Sequence, residues 1–272
     1  MKCETIQLKT QGAYLETYFL DARPRLKNSQ VRPLVLICPG GGYRMVSERE
    51  AEPIAMAFAA RGFHTAVLTY PVAPVRFPQA LYALGEAMVW IRSHAEENHI
   101  DPQKIAVSGY SAGGHLAASL GVFWKEAFLT GGVGCKPEEL RPDALILGYP
   151  VITSGEFAHR PSFERLLGEA PDEALLEKVS LEKRVTADVP PTFLWHTYTD
   201  ELVPVENSLL FANALHRAGV PLELHIYSTG VHGLSLANKV TEGTEIARLC
   251  PDCEGWIELA CAWLRRQTEY LV

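Results

Sequence analysis

The stretch Lys104-Ile105-Ala106-Val107-Ser108-Gly109-Tyr110-Ser111-Ala112-Gly113-Gly114 decides the fold. A short apolar run, Lys104 to Val107, ends in a G-x-S-x-G turn and continues into an apolar helix predicted from Ala112 to Trp124. A strand-to-helix turn tight enough to project a serine strains its backbone and admits only small neighbours, here Gly109 and Gly113. The turn also sets the Ser111 hydroxyl at a helix N-terminus, where unpaired backbone amides favour developing negative charge.

Outward from this turn, runs of the same kind recur at Pro33 to Cys38, Thr65 to Tyr70, Ala144 to Leu147, Thr192 to Trp195 and Leu222 to Tyr227. Short, mostly continuous apolar runs are the pattern of parallel strands buried on both faces. Helical stretches separate them: Glu48 to Arg61, Gln79 to Glu97, Val205 to Ala218 and Glu254 to Thr268. Ser47 with Glu50 has the spacing of a capping box at the first, and Gly62 and Gly219 stand where helices stop. Ahead of all this, Glu4 to Leu8 and Tyr14 to Leu20 alternate polar and apolar residues around Gln11-Gly12, as an antiparallel hairpin requires. The expected architecture is α/β: a mostly parallel sheet with an N-terminal antiparallel hairpin and helices on both faces, in one domain over 1–272. In such sheets ligands bind beyond the carboxyl ends of the strands.

The chemistry should therefore lie in the loops after the apolar runs. A serine hydroxyl needs a base to attack a carbonyl, and histidine is the usual one. Of nine histidines, His94 and His99 fall near the end of a polar helix, His216 on a helix face and His225 within a strand. His232 follows the last strand, in Ser228-Thr229-Gly230-Val231-His232-Gly233. A carboxylate must hold that imidazole in the right tautomer, and Asp200 leaves the strand ending at Trp195 within His196-Thr197-Tyr198-Thr199-Asp200. Glu201 and Glu206 are nearby acids readable as solvated surface groups. The order Ser111, Asp200, His232, each after a different strand, is that of the α/β-hydrolase fold. An oxyanion needs donors: the amide of Ala112 is one candidate, and Gly41 and Gly42 of Pro39-Gly40-Gly41-Gly42-Tyr43 are the others. No Lys-Ser/Thr follows those glycines, which argues against a phosphate loop. Tyr43 and Tyr110, flanking the glycine loop and the serine, are candidate substrate contacts.

The PGGGY loop, GYSAGGHLA at the turn, PPTFLWHTYTDELVPVENS around the acid and GVHGLSLA around the histidine together resemble α/β-hydrolase esterases, particularly the acetyl-xylan-esterase-like and prolyl-oligopeptidase-like carbohydrate esterases. The resemblance runs from about Leu34 to the C-terminal helix. Pro39 stands where hormone-sensitive-lipase-type relatives carry the histidine of HGGG. The resemblance implies hydrolysis of a small acyl ester, acetyl on a sugar among the candidates, through an acyl-enzyme on Ser111 and without metal or organic cofactor. The alternatives are an aryl formamidase, a peptidase-like serine hydrolase and a non-catalytic binding protein on the same fold. The connection from Val151 to Asp188, with Phe157, His159, Phe163, Leu166 and Leu167, has two readings, a small cap over the acyl pocket or a packed excursion with no contact to substrate.

Composition bounds the rest. The 272-residue chain is 47% apolar and 21% charged, which excludes disorder and fibrous repeats. A net charge of −7 gives no electrostatic reason to hold nucleic acid or an anionic membrane. The expected partner is a small-molecule or oligosaccharide ester, and homo-oligomerisation is left open. Glu4 and Gln7 interrupt the start where a secretory signal needs apolar residues, so the expected location is cytoplasmic. Six cysteines are too sparse for a disulfide scaffold, and Cys250 with Cys253 lacks the second pair a zinc site requires.

Overall fold

The alternating N-terminal runs form β1 (Lys2–Gln7) and β2 (Tyr14–Phe19), paired antiparallel in the computed structural model, which describes residues 1–244 and 248–267. The apolar runs become β3 (Arg32–Cys38), β4 (His64–Thr69), β5 (Ile100–Tyr110), β6 (Ala144–Gly148), β7 (Thr192–Thr197) and β8 (Leu222–Tyr227). They join one sheet in the order β1-β2-β4-β3-β5-β6-β7-β8. β2 meets β4 antiparallel, and every pairing from β4 to β8 is parallel. The helices are α1 (Glu52–Ala59), α2 (Gln79–Ser93), α3 (Ala112–Phe123), α4 (Ala127–Val133), α5 (Pro137–Leu140), α6 (Arg160–Leu167), α7 (Glu173–Lys178), α8 (Glu206–Arg217), α9 (Pro251–Glu254) and α10 (Trp256–Gln267). Thr268, the expected end of the last helix, lies outside the described residues.

The strand period of two divides each buried run between two cores. In β3, Leu34, Leu36 and Cys38 join the cluster under α2, α3 and α8, whereas Val35 and Ile37 join the one under α1 and α10. β5 divides the same way, Ile105 and Val107 on the first face, Ala106 and Tyr110 on the second. β8 differs from its expected double burial. It is the last strand in the order, and Leu224 and Ile226 remain exposed. Among the described residues no helix is long and apolar enough to cross a membrane.

Two core histidines make the fold acid-sensitive. His64 accepts from the amide of Leu20 at Nδ1 (3.0 Å), and its Nε2 donates to the carbonyl of His99 (3.2 Å). His115, in α3, donates from Nε2 to the Val179 carbonyl (2.9 Å) and accepts from the Tyr43 hydroxyl at Nδ1 (2.9 Å). Burial lowers each to about 4 from 6.5. The unfolded chain takes up these protons near pH 6.5 and the folded one only near pH 4, so stability falls as pH drops through that window. The loss is on the order of 3 kcal/mol per histidine at its lower end. Urea midpoints should therefore drop steeply between pH 7 and 4.5, and equal midpoints would contradict the assignment.

Candidate active site

β5 ends at Tyr110, α3 begins at Ala112, and Ser111 turns the corner at φ 53° and ψ −122°. A left-handed serine is strained, and the surroundings hold it there. Its amide donates to the Gly148 carbonyl (3.1 Å) and its carbonyl accepts from Val151 (3.0 Å). A Cβ at Gly109 would stand 2.2 Å from the Gly113 carbonyl oxygen, and one at Gly113 would stand 2.1 Å from that of Cys38. Both expected small neighbours are thus required by backbone contact.

The loops after β7 and β8 bring the other two groups to this corner. The Ser111 hydroxyl lies 2.7 Å from His232 Nε2, and His232 Nδ1 lies 2.7 Å from Asp200 Oδ2. Because a carboxylate only accepts, Nδ1 carries the hydrogen and Nε2 is free to accept from Ser111. The loops are laced together, with Thr197 and Thr199 hydroxyls both donating to the Gly230 carbonyl at 3.1 Å. Asp200 Oδ1 accepts the amides of Leu202 (3.0 Å) and Val203 (2.9 Å), while His196 Nε2 reaches Oδ2 at 3.2 Å. Burial alone would raise the Asp200 carboxyl. Hydrogen bonds from His196 and His232, the His232 charge and the Val203 amide outweigh it and hold the group well below the ordinary carboxylate range.

A second chain of contacts passes beneath the histidine, and nothing in the sequence reading anticipated it. Glu50 is buried, and its carboxylate accepts from the Gly40 amide (2.8 Å) and the Tyr149 hydroxyl (2.7 Å). The Tyr149 oxygen in turn accepts the Ser235 amide (2.9 Å), and its ring stands edge-on to His232 at 5.2 Å. The glycine loop and the histidine loop are thereby tied through one acid. This overturns the capping box, since the Ser47 side chain makes no cap hydrogen bond. The expected helix from Glu48 instead begins with a 3-10 turn, Glu48–Glu50, which delivers the carboxylate to the glycine loop.

Gly41 and Gly42 adopt φ +125° and +62°, and a Cβ at Gly41 would fall 2.0 Å from the Met45 carbonyl oxygen. The amides of Gly41, Gly42 and Ala112 have no acceptor among the described residues. Tyr43 and Tyr110 do not contact the cleft, correcting both expectations. Tyr43 is 3% exposed, its hydroxyl taken by His115 and its ring against Tyr70. Tyr110, on the α10 side of β5, packs against Trp256 and accepts from Ser108 (2.8 Å), because the residue before the serine still obeys strand alternation.

The cleft over Ser111 and His232 has a volume of about 1120 Å³, with Gly41, Gly42 and Leu202 in its wall. The segment 151–188 divides between a small core and the cleft wall. Phe163 and Val179 pack into a small core with Val151 and Val203, while His159 and Arg165 line the cleft. His159 is lowered by burial, then by the neighbouring His232 and Arg165. Cys250 and Cys253 are buried free thiols, Cys250 Sγ donating to the Thr229 carbonyl at 3.4 Å.

The chain matches the BD-FAE family over residues 20–215. It is 40% identical over 223 residues to endo-1,4-beta-xylanase B of Butyrivibrio fibrisolvens, covering 78% of this chain and 34% of that protein. It is 30% identical over 237 residues to an acetylxylan esterase of Xylanibacter ruminicola, covering 84% of this chain and 45% of that protein. The chain thus spans less than half the length of either relative. Among solved structures, the acetyl ester-xyloside bifunctional hydrolase of Caldicellulosiruptor lactoaceticus superposes with a TM-score of 0.82 at 37% identity, over 96% of this chain and 89% of that one. With its serine turn, its sheet order and a family match spanning most of its length, the chain belongs to the BD-FAE family and has the α/β-hydrolase fold.

Proposed function

We propose that the protein is a serine esterase that removes a small acyl group, acetyl in the first instance, from a carbohydrate. The observation carrying this reading is the unbroken line of hydrogen bonds from Asp200 through His232 to Ser111, opening on a cleft. His232 Nε2 takes the Ser111 proton as Oγ attacks the ester carbonyl, and Asp200 stabilises the imidazolium without itself becoming protonated. The tetrahedral oxyanion faces the amide of Ala112 and those of the glycine loop, each worth about 3 to 4 kcal/mol in the transition state. The imidazolium then protonates the leaving alkoxide, the carbon–oxygen bond breaks, and an acyl-Ser111 ester remains. Water, deprotonated by the same imidazole, returns the carboxylic acid and free serine. The preference for acetyl and for sugars is supported by the likeness to an acetylxylan esterase and an acetyl ester-xyloside hydrolase.

Turnover of 4-nitrophenyl acetate and of acetylated xylo-oligosaccharides, with an acetyl adduct trapped on the Ser111 peptide, is the expected result. Absence of hydrolysis across acetyl, feruloyl and simple aryl esters would overturn the reading.

A further inference from the structure

The chain carries a net charge of −7, yet its cleft concentrates positive charge. Arg44, Arg49, Arg165 and Arg248 line it, against the carboxylates of Glu50 and Glu201. Glu50 is already engaged by Gly40 and Tyr149, and Glu201 is exposed. None of the four arginines is in an ion pair among the described residues. Four guanidiniums without an ion pair among the described residues thus line one opening.

Two of the four stand together beside the histidine loop. Arg49 donates from Nε to the Thr241 carbonyl (2.7 Å) and from Nη1 to the Gly233 carbonyl (2.9 Å). Its Nη2 is buried without a partner. Arg248 donates from Nε to the carbonyl of His232 (3.3 Å). A Cβ placed on Gly233 would lie 3.6 Å from Arg248 Nε and 3.9 Å from Arg49 Nη1, so both guanidiniums converge on this one glycine. Their anchors are neutral carbonyl oxygens, which fix position without cancelling charge. Burial first, and then the charge of Arg248, lower Arg49, partly offset by Tyr149 and Glu50.

The chemistry fixes which part of a substrate meets this pair. His232 must hand its proton to the leaving alkoxide, so the alcohol portion of the ester lies on the histidine side, and the carbonyl oxygen lies toward the glycine loop and Ala112. We propose that Arg49 and Arg248 form a subsite for an oxyanion on the alcohol portion, a carboxylate in the first instance, so that the preferred substrates are acyl esters of acidic sugars. This rests on the esterase reading above. Arg248 uses only Nε on a carbonyl, so its two terminal nitrogens can offer a carboxylate two parallel charge-assisted hydrogen bonds with the Arg49 charge behind them, and sulfate or phosphate would use the same donors.

The test has two parts. Titration calorimetry on the Ser111→Ala protein compares sodium methyl glucuronoside with methyl glucoside, and then with glucose 6-sulfate and 6-phosphate to separate the anion types. The glucuronoside should bind at least about tenfold tighter than the glucoside, with the advantage shrinking as salt rises. Equal binding overturns the proposal whether or not the protein is an esterase. In steady state, kcat/KM for the acetylated glucuronoside should exceed that for the matched acetylated glucoside. Arg248→Gln should lower that ratio about tenfold, and Arg248→Lys should restore part of it. A wild-type ratio of one or below, or an Arg248→Gln ratio equal to wild type, overturns the subsite, whereas failure to hydrolyse either ester is a failure of the esterase reading instead.

Discussion

Ser111→Ala lowers kcat by about 10⁶, and adding His232→Ala to it lowers kcat no further. In the proposed mechanism the two side chains perform one event, transfer of a proton between atoms 2.7 Å apart while Oγ forms a bond to carbon, so removing either abolishes the whole event. What survives, about 10³ to 10⁴ over water, comes from the donors around the oxyanion and from substrate binding. Ser111 is held by backbone contacts to Gly148 and Val151, and alanine preserves both, so the variant keeps its fold. Steady-state rates on 4-nitrophenyl acetate for the two single variants and the double variant, with circular dichroism as control, decide the matter. A double variant slower than either single by a further large factor would mean that His232 acts on something other than Ser111.

Asp200→Asn lowers kcat by about 10⁴ while leaving substrate affinity nearly unchanged. The loss follows from the number of donors at one oxygen. Oδ2 receives hydrogen from His232 Nδ1 and from His196 Nε2, while Oδ1 is fixed by the amides of Leu202 and Val203. His196 cannot invert, because its Nδ1 accepts from Ser208 (2.7 Å) and its Nε2 also donates to the Val203 carbonyl (3.0 Å). With oxygen retained against the two amides, an asparagine turns its NH₂ toward His232. The imidazole then carries its hydrogen on Nε2 and points it at Ser111, the wrong tautomer for a base. The same substitution removes the carboxylate held below its ordinary range, whose contribution to stability is present above the unfolded carboxyl pKa and lost as pH falls. Asp200→Asn should therefore be less stable than wild type at neutral pH, by a margin that narrows in acid. A wild-type kcat for this variant would show that the imidazole needs no carboxylate to orient it.

Most of the architecture, and the whole Asp200–His232–Ser111 line, could be read from the chain because they depend on local pattern and order. Gly109 and Gly113 announce the serine turn, and each member of the line follows an apolar run that is a strand. The unread features depend on which side of an element a residue faces. Tyr110 and Tyr43 are adjacent to reactive groups along the chain, but alternation and a left-handed φ of 55° at Tyr43 turn them inward. Glu50 has the spacing of a helix cap, and only the fold reveals that Gly40 and Tyr149 claim its carboxylate. His196 and Asp200, four residues apart at the end of β7, did carry a legible spacing. The guanidiniums of Arg49 and Arg248, nearly 200 positions apart in sequence, both come to Gly233, and no local pattern reports such a convergence.

The distance along the chain between Ser111 and His232 is 121 residues, and the base rides on the loop behind the outermost strand. At ribosomal speeds of about 5 to 20 residues per second, the histidine emerges roughly 6 to 24 s after the serine. Through that interval the proposed nucleophile has no imidazole to deprotonate it, and its turn gains its contacts to Gly148 and Val151 only as those residues follow. Under the proposed mechanism, hydrolysis awaits the docking of the final strand and the loop after it, which would make activity a direct reporter of completed folding.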